Sequence, residues 1–183
     1  MPLPQPYDSS YTYKDYSEWE GRWEIIHGVA YAMTPAPNTK HQRTVGSVFR
    51  LIGDLIDESK LKSGHGDCEV FVSPIDVILG EDTVVQPDAL VVCDPAKISE
   101  RGIEGPPDLV VEVLSPSTAM KDLNSKRWLY ESSGVPEYLV LDPENRIAEL
   151  FVLDSDGRYH TGARVPWKES IGLLGGRLSL TLD

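Results

Sequence analysis

The sequence predicts a mixed α/β (α+β) fold, with a central mixed sheet flanked by helices, an extra hairpin near the N-terminus and further strands at the C-terminal end. Three observations predict it. Over residues 41–60 the apolar positions Val45, Val48, Phe49, Ile52, Leu55 and Ile56 recur at three- and four-residue steps, the pattern of an amphipathic helix with one face on a core. Three strand-like apolar runs follow, at residues 68–79, 83–92 and 109–114. A second helical segment then leads through Ser133-Gly134 into another buried run at 135–143. At 183 residues and 40% hydrophobic composition, the chain is ample for one core and short for two, so residues 1–183 are expected as a single domain.

In chain order, residues 1–10 are proline-rich and polar and are expected as a loose N-terminal arm. Residues 11–18 suit a short helix capped by Thr12 or Ser17. Two β-type runs between Arg22 and Met33 surround His27-Gly28, a pair that fits a tight hairpin turn because glycine accepts positive φ. Glu24 alternates with Trp23 and Ile25, so it faces away from one apolar layer; pattern alone leaves open whether it faces solvent or a site. A loop over 34–38 precedes the long helix, with Asn38 or Thr39 as its cap, and Gly64 and Gly66 end it.

The run at 68–79 alternates and carries Pro74, which suggests an edge strand or a bulge. The run at 83–92 contains Gln86-Pro87-Asp88, and residues 94–107 are polar and rich in glycine and proline, a loop with scope to move. The run at 109–114 reads Leu-Val-Val-Glu-Val-Leu and is followed by a turn at 115–118. The helix after it carries Lys121, Lys126, Arg127, Trp128 and Tyr130, and Gly134 suits its C-terminal end. Residues 145–153 and 159–165 form a hairpin around Asp154-Ser155-Asp156-Gly157, and the alternating tail at 177–182 adds a last edge strand.

Composition narrows the function classes. No stretch of eighteen or more apolar residues is present, so no membrane partner is expected. The N-terminal residues lack the charged and apolar regions of a secretory signal, and a cytoplasmic location is the default expectation. Cys68 and Cys93 lie far apart without metal-site spacing, and Cys93, closing an apolar run, is expected as a core thiol rather than a ligand or disulfide partner. A formal charge of −12 argues against broad electrostatic capture of nucleic acid, but leaves room for a local basic groove.

One residue is out of place. Glu112 stands amid valines and leucines, where a carboxylate costs several kcal/mol unless it is paired or holds a cation. Asp88, after Gln86-Pro87, stands on the neighbouring predicted strand, so both carboxylates can lie near one end of the sheet if the strands pair. A hard divalent cation such as Mg²⁺ removes the repulsion between two such acids, and a lysine at the same point can position a water or offset developing charge. Lys126, on the helix after the Glu112 strand, can fold back to that point, and Lys121 is a rival. Taken singly, each has a plainer explanation: Asp88 as a turn cap, Glu112–Lys126 as a structural ion pair, Lys126 as a surface residue.

The segments Trp23-Glu-Ile-Ile-His-Gly-Val29, Gln86-Pro-Asp-Ala-Leu-Val-Val92, Pro107-Asp-Leu-Val-Val-Glu-Val-Leu-Ser-Pro-Ser-Thr118 and Lys126-Arg-Trp-Leu-Tyr130 with Gly134-Val-Pro-Glu-Tyr138 closely resemble the Uma-type family of proposed bacterial endonucleases. That family belongs to the PD-(D/E)XK restriction-endonuclease-like superfamily. The resemblance covers the chain from about Tyr11 onward, with several motifs in the same order. It implies a helix, three-strand, helix, strand core. It makes Asp88 the aspartate of the Pro-Asp motif, Glu112 the second acid and Glu24 a further metal or water contact. Where the superfamily has a lysine two positions after the second acid, this chain has Leu114. Uma-type sequences share that departure, and Lys126 from the following helix would substitute. His41 matches a family position without a defined role, and Asp122, Tyr130 and Glu137 match positions expected to be structural or supporting.

The function so implied is metal-dependent hydrolysis of phosphodiester bonds of nucleic acid, with double-stranded DNA as the expected substrate. Asp88, Glu112 and Glu24 would hold Mg²⁺, with Mn²⁺ as a substitute, and Lys126 would complete the catalytic set. A homodimer is the expected assembly, since symmetric dimers are the commonest and suit duplex cleavage. The alternative is a catalytically inactive domain of the same fold that binds nucleic acid or protein.

Overall fold

The computed structural model describes residues 10–33, 38–63, 68–115 and 125–183. The expected N-terminal arm (apart from Ser10), Gly64 and Gly66, the turn residues 116–118, and Lys121 and Asp122 lie outside the described residues. A short helix, α1 (Tyr13–Tyr16), is capped by Thr12, whose backbone N–H and hydroxyl both donate to Asp15 Oδ2, at 2.9 and 2.7 Å. The hairpin follows as β1 (Trp23–Ile26) and β2 (Val29–Ala32). Its two turn residues, His27 and Gly28, have φ of 50° and 76°, the left-handed pair that lets a two-residue turn match the twist of its strands. The long helix α2 (Thr39–Ser63) starts two residues before His41 and ends past Lys60. Asn38 caps it, its Oδ1 accepting from His41 N at 2.9 Å.

The next two apolar runs each divide. Residues 68–79 give β3 (Glu69–Val72) and β4 (Val77–Gly80), interrupted by Ser73-Pro74. Residues 83–92 give β5 (Thr83–Val85) and β6 (Ala89–Val92), interrupted by Gln86-Pro87-Asp88. The reason is common to both: proline has no N–H to give a ladder, so the chain leaves one sheet there and enters another. The segment 94–107 is not a plain loop. It carries a 3₁₀ turn (Pro95–Lys97), β7 (Ile98–Ser99) and β8 (Gly102–Glu104), with Lys97 Nζ donating to the Pro106 carbonyl at 2.7 Å. Then come β9 (Leu109–Val113), α3 (Arg127–Ser132), β10 (Glu137–Asp142), β11 (Ile147–Leu153), β12 (Tyr159–Pro166), β13 (Ser170–Leu173) and β14 (Leu178–Thr181).

These strands form two six-stranded sheets rather than one central sheet, ordered β2-β1-β5-β4-β8-β7 and β12-β11-β10-β9-β6-β3. The tail does not extend either sheet. β14 pairs with β13, a strand the sequence pattern missed, as a separate ribbon. In the second sheet β9 runs parallel to β10, with Glu112 opposite Val140, and antiparallel to β6, with Val111 opposite Ala89. Alternation then sorts the core. Val45, Val48, Ile52 and Ile56 of α2 pack with Leu109, Val111, Val113, Leu139 and Leu141 and with Ile171, Leu173, Leu178 and Leu180 of the ribbon. The opposite face, through Leu90, Val92, Val110, Tyr138 and Val140, packs against Val77, Val85 and Ile103 of the first sheet and Leu129 and Tyr130 of α3. Each fully buried aliphatic side chain in these layers contributes about 1.5–3 kcal/mol.

Cys93 is not a free thiol. It is joined to Cys68 by a disulfide with an S–S distance of 2.06 Å. The register explains the pairing, because Glu69 lies opposite Val92 and so brings the preceding Cys68 beside Cys93. A linear separation of 25 residues hides this contact. Among the described residues no helix is long and apolar enough to cross a membrane.

Candidate active site

Glu112 lies on β9 with Val110, on the face turned toward the first sheet and α3, and it is 4% exposed. A carboxylate so buried needs strong partners. It has two on one oxygen. Lys126 Nζ stands 2.7 Å from Oε1 and the Tyr130 hydroxyl donates to the same atom at 2.8 Å. Lys126 occupies the N-cap position of α3, and Tyr130 follows one helical turn later on the same side. The short helix therefore delivers both groups to one carboxylate.

Lys126 bridges to a second acid. Its Nζ lies 3.0 Å from Glu24 Oε1, an oxygen that also accepts from the Gln86 backbone N–H at 3.2 Å. Glu24 is 2% exposed, so β1 turns it into the molecule, toward the junction of the two sheets, and not into solvent. Glu24, Glu112 and Lys126 thus meet in space, with the ammonium between the two carboxylates.

Asp88 sits at the crossing from the first sheet to the second. Its Oδ2 accepts from the backbone N–H of Val113 at 2.8 Å, one residue beyond Glu112, and lies 3.1 Å from His41 Nε2. Asp88 therefore caps the end of β9, a strand distant in the chain, rather than its own turn. It also joins the start of α2 to the strand end that carries Glu112. His41 donates its backbone N–H to the Asn38 cap and brings its imidazole to Asp88. Glu137 lies apart: its two oxygens accept from Leu174 N and Gly175 N, both at 2.7 Å, which pins β10 to the ribbon turn.

Gln86 is the residue that sequence reasoning passed over. Its Nε2 donates to Asp76 Oδ1 at 2.9 Å and lies 3.1 Å from the Tyr16 hydroxyl, and its Oε1 accepts from Arg22 Nε and Nη2 at 3.2 and 3.1 Å. With its backbone holding Glu24, Gln86 fixes the hairpin and α1 against the strand crossing. The available signal was a lone amide between Val85 and Pro87. Burial, helped by a hydrogen bond to Asp76 and the charge there, raises the Tyr16 phenol well above its usual range. Burial likewise raises the Tyr130 phenol, followed by the negative charges of Glu112 and Glu24. Both phenols therefore stay protonated donors at ordinary pH.

The site's acids are all oxygen donors, the ligand class that hard divalent cations take. Among the described residues no three His, Cys, Asp or Glu side chains are gathered closely enough to enclose a metal ion. As arranged, positive charge between Glu24 and Glu112 is supplied by Lys126.

The sequence profile of the Uma2 family, described as "Putative restriction endonuclease", matches residues 12–172. An uncharacterized protein of Synechocystis sp., slr1290, is 31% identical over 174 residues, covering 87% of this chain and 85% of that protein. Among solved structures, the crystal structure of a "putative nuclease belonging to DUF820" from Anabaena variabilis is similar in fold, with a TM-score of 0.68 and 17% identity over 93% of this chain and 94% of that one.

Proposed function

The chain belongs to the Uma2 family described as "Putative restriction endonuclease", and on that premise we propose that it is a metal-dependent nuclease that hydrolyses phosphodiester bonds, with duplex DNA as substrate. The observation that carries this reading is the meeting of Glu24 and Glu112 at one ammonium, with Asp88 capping the same strand end. All three acids are oxygen donors, the ligand class that Mg²⁺ and Mn²⁺ take. As arranged they do not enclose an ion, so Asp88, Glu112 and Glu24 would have to draw together, with Lys126 withdrawn from between the two glutamates, to hold one. When bound, such an ion lowers the pKa of a coordinated water and stabilises charge on a phosphodiester.

The residues themselves supply the rest. Lys126 orients a water or offsets the charge that builds on the phosphate. Tyr130, held as a neutral donor, fixes the Glu112 carboxylate. The Gln86 backbone N–H fixes Glu24, and His41 sets the position of Asp88. Lys126 thus takes the place of the lysine that Leu114 lacks, from the next helix instead of the same strand.

The test is incubation of the full-length protein with plasmid DNA and Mg²⁺ or Mn²⁺. Cutting is expected, abolished by chelator and reduced about 100-fold or more by Glu112→Gln and by Lys126→Ala. No cutting of DNA or RNA with either metal sinks the proposal, as does unchanged cutting by both variants. A second reading is favoured by one observation. Lys126 already compensates Glu24 and Glu112, so the cluster can serve as a purely structural ion bridge in an inactive domain of the same fold.

A further inference from the structure

We infer that the groove between α2 and the turn after β10 is a track for the sugar–phosphate backbone of a nucleic acid, leading it to the end of the sheet where Asp88 and Glu112 stand. The inference rests on the nuclease reading above and names how an acidic protein would hold a polyanion.

The groove has a volume of about 310 Å³, and Lys40, Arg43, Arg50 and Arg146 line it together with Trp167. Asp183 is the single acidic residue among its lining residues. That balance reverses the average of the chain, which has 17 Lys and Arg against 29 Asp and Glu. Lys40, Arg43 and Arg50 are exposed and fall at steps of three and seven residues, which aligns them on one face of α2. Ten residues of helix span about 15 Å, enough to meet about four phosphates of one strand at roughly 3.4 Å per strand along a duplex. Arg146 forms the other wall. Its carbonyl accepts from Trp167 N at 2.9 Å and its guanidinium lies 5.6 Å from the centre of the Trp167 ring, which fixes the turn to the tail.

The candidate-site residues do not line the groove, but two of its walls adjoin them in the chain. Lys40 precedes His41, whose imidazole meets Asp88. Pro143 and Arg146 follow β10 just past Val140, the residue paired with Glu112. The facing carboxylates do not close it. Glu144 pairs with Lys40 at 2.8 Å and Asp54 with Arg50 at 3.6 Å, but both pairs are solvent-exposed and readily exchanged for phosphate. Asp142, at the base of the turn, is occupied by Glu144 N, Asn145 N and Asn145 Nδ2.

The test is binding of fluorescein-labelled duplex DNA, and of duplex RNA of the same sequence, to the full-length protein in chelator between about 50 and 200 mM salt. Duplex binding is expected, with a logarithmic affinity that falls linearly with the logarithm of salt concentration. The triple variant Arg43→Gln, Arg50→Gln, Arg146→Gln should bind at least tenfold more weakly and flatten the slope by about two to three, with the circular dichroism spectrum of the folded protein retained at the assay temperature. Arg101→Gln, an exposed cation outside the groove, should change neither. Tighter binding of RNA than of DNA supports the track and assigns it RNA. The inference is overturned if the wild-type protein binds neither duplex, if the triple variant binds as well as wild type, or if polyglutamate displaces the duplex at equal charge, which would point to an acidic protein instead. Groove-dependent binding without metal-dependent cutting keeps the track and removes the nuclease. Cutting that survives the triple variant keeps the nuclease and removes the track.

Discussion

Lys126 and Lys40 each hold a glutamate at nearly the same distance, 2.7 Å to Glu112 and 2.8 Å to Glu144, yet the two pairs are different physical objects. The Lys126 and Glu112 side chains are 6% and 5% exposed, whereas those of Lys40 and Glu144 are 48% and 60% exposed. At the surface, water screens the charges and the pair is loosely held, so little stability depends on it. Inside, the charges have been stripped of water, and each depends on the others for its presence there. A distance alone does not separate a site from a decoration; burial and the number of groups sharing one atom do.

The largest expected effect breaks the buried pair. Lys126→Met keeps much of the side-chain volume but leaves Glu24 and Glu112 together without the ammonium, and should cost about 3–5 kcal/mol in denaturant unfolding. Adding Glu112→Gln in the same background should recover part of that loss, which a merely packing role for Lys126 does not predict. Next comes Tyr130→Phe, which removes a buried donor to Glu112 and should cost about 1.5–3 kcal/mol. Because burial and then the neighbouring carboxylates hold this phenol protonated well above its usual range, the cost should be the same at pH 6 as at pH 9.

The surface pair sharpens the comparison from the other side. Lys40→Ala should change stability by less than about 1 kcal/mol, and less again at high salt. The same substitution should still weaken nucleic-acid binding if the α2 groove is a track. The smallest effect concerns Asp142. Burial pushes its carboxyl up, but hydrogen bonds from the Asn145 side chain and from the Asn145 and Glu144 backbone outweigh it, so the folded pKa is lowered. A lowered folded value gives stability that is full above the unfolded pKa of about 3.9 and is lost as pH falls through the folded value. Acid unfolding below about pH 4 should therefore be less steep in Asp142→Asn.

Much of this comparison is legible in the sequence, and the reasons differ by residue. The α2 stripe and the His27-Gly28 turn are local signals: period and left-handed backbone need no knowledge of the rest of the chain. The place of Asp88 beside the Glu112 strand follows from two apolar runs that pair, and Lys126 from a helix that must fold back. What the sequence hides is which sheet a strand joins. Pro74 and Pro87 interrupt runs that carry apolar residues on both sides of the break, and hydropathy alone does not say that the chain crosses between layers there. Glu24 is ambiguous for the same reason, because an alternating acid faces solvent in a one-sided sheet and a site in a two-layered one. The Cys68–Cys93 bond depends on the β3–β6 register, a long-range pairing with no local trace. Gln86 escapes because its work is divided between a backbone N–H for Glu24 and a side chain for Asp76 and Arg22.

Glu24, Asp88 and Glu112, beside Lys126, are proposed to form a site for a divalent cation and not only an internal bridge. Calorimetric titration of the folded protein with Mn²⁺ tests it most directly, with Asp88→Asn as the comparison because asparagine keeps an acceptor for the Val113 N–H. A saturable heat is expected in the wild-type protein, and it should disappear in Asp88→Asn while the melting curve is retained. No heat at millimolar Mn²⁺, or the same heat in both proteins, would contradict it and leave Lys126 as the structural partner of two buried glutamates.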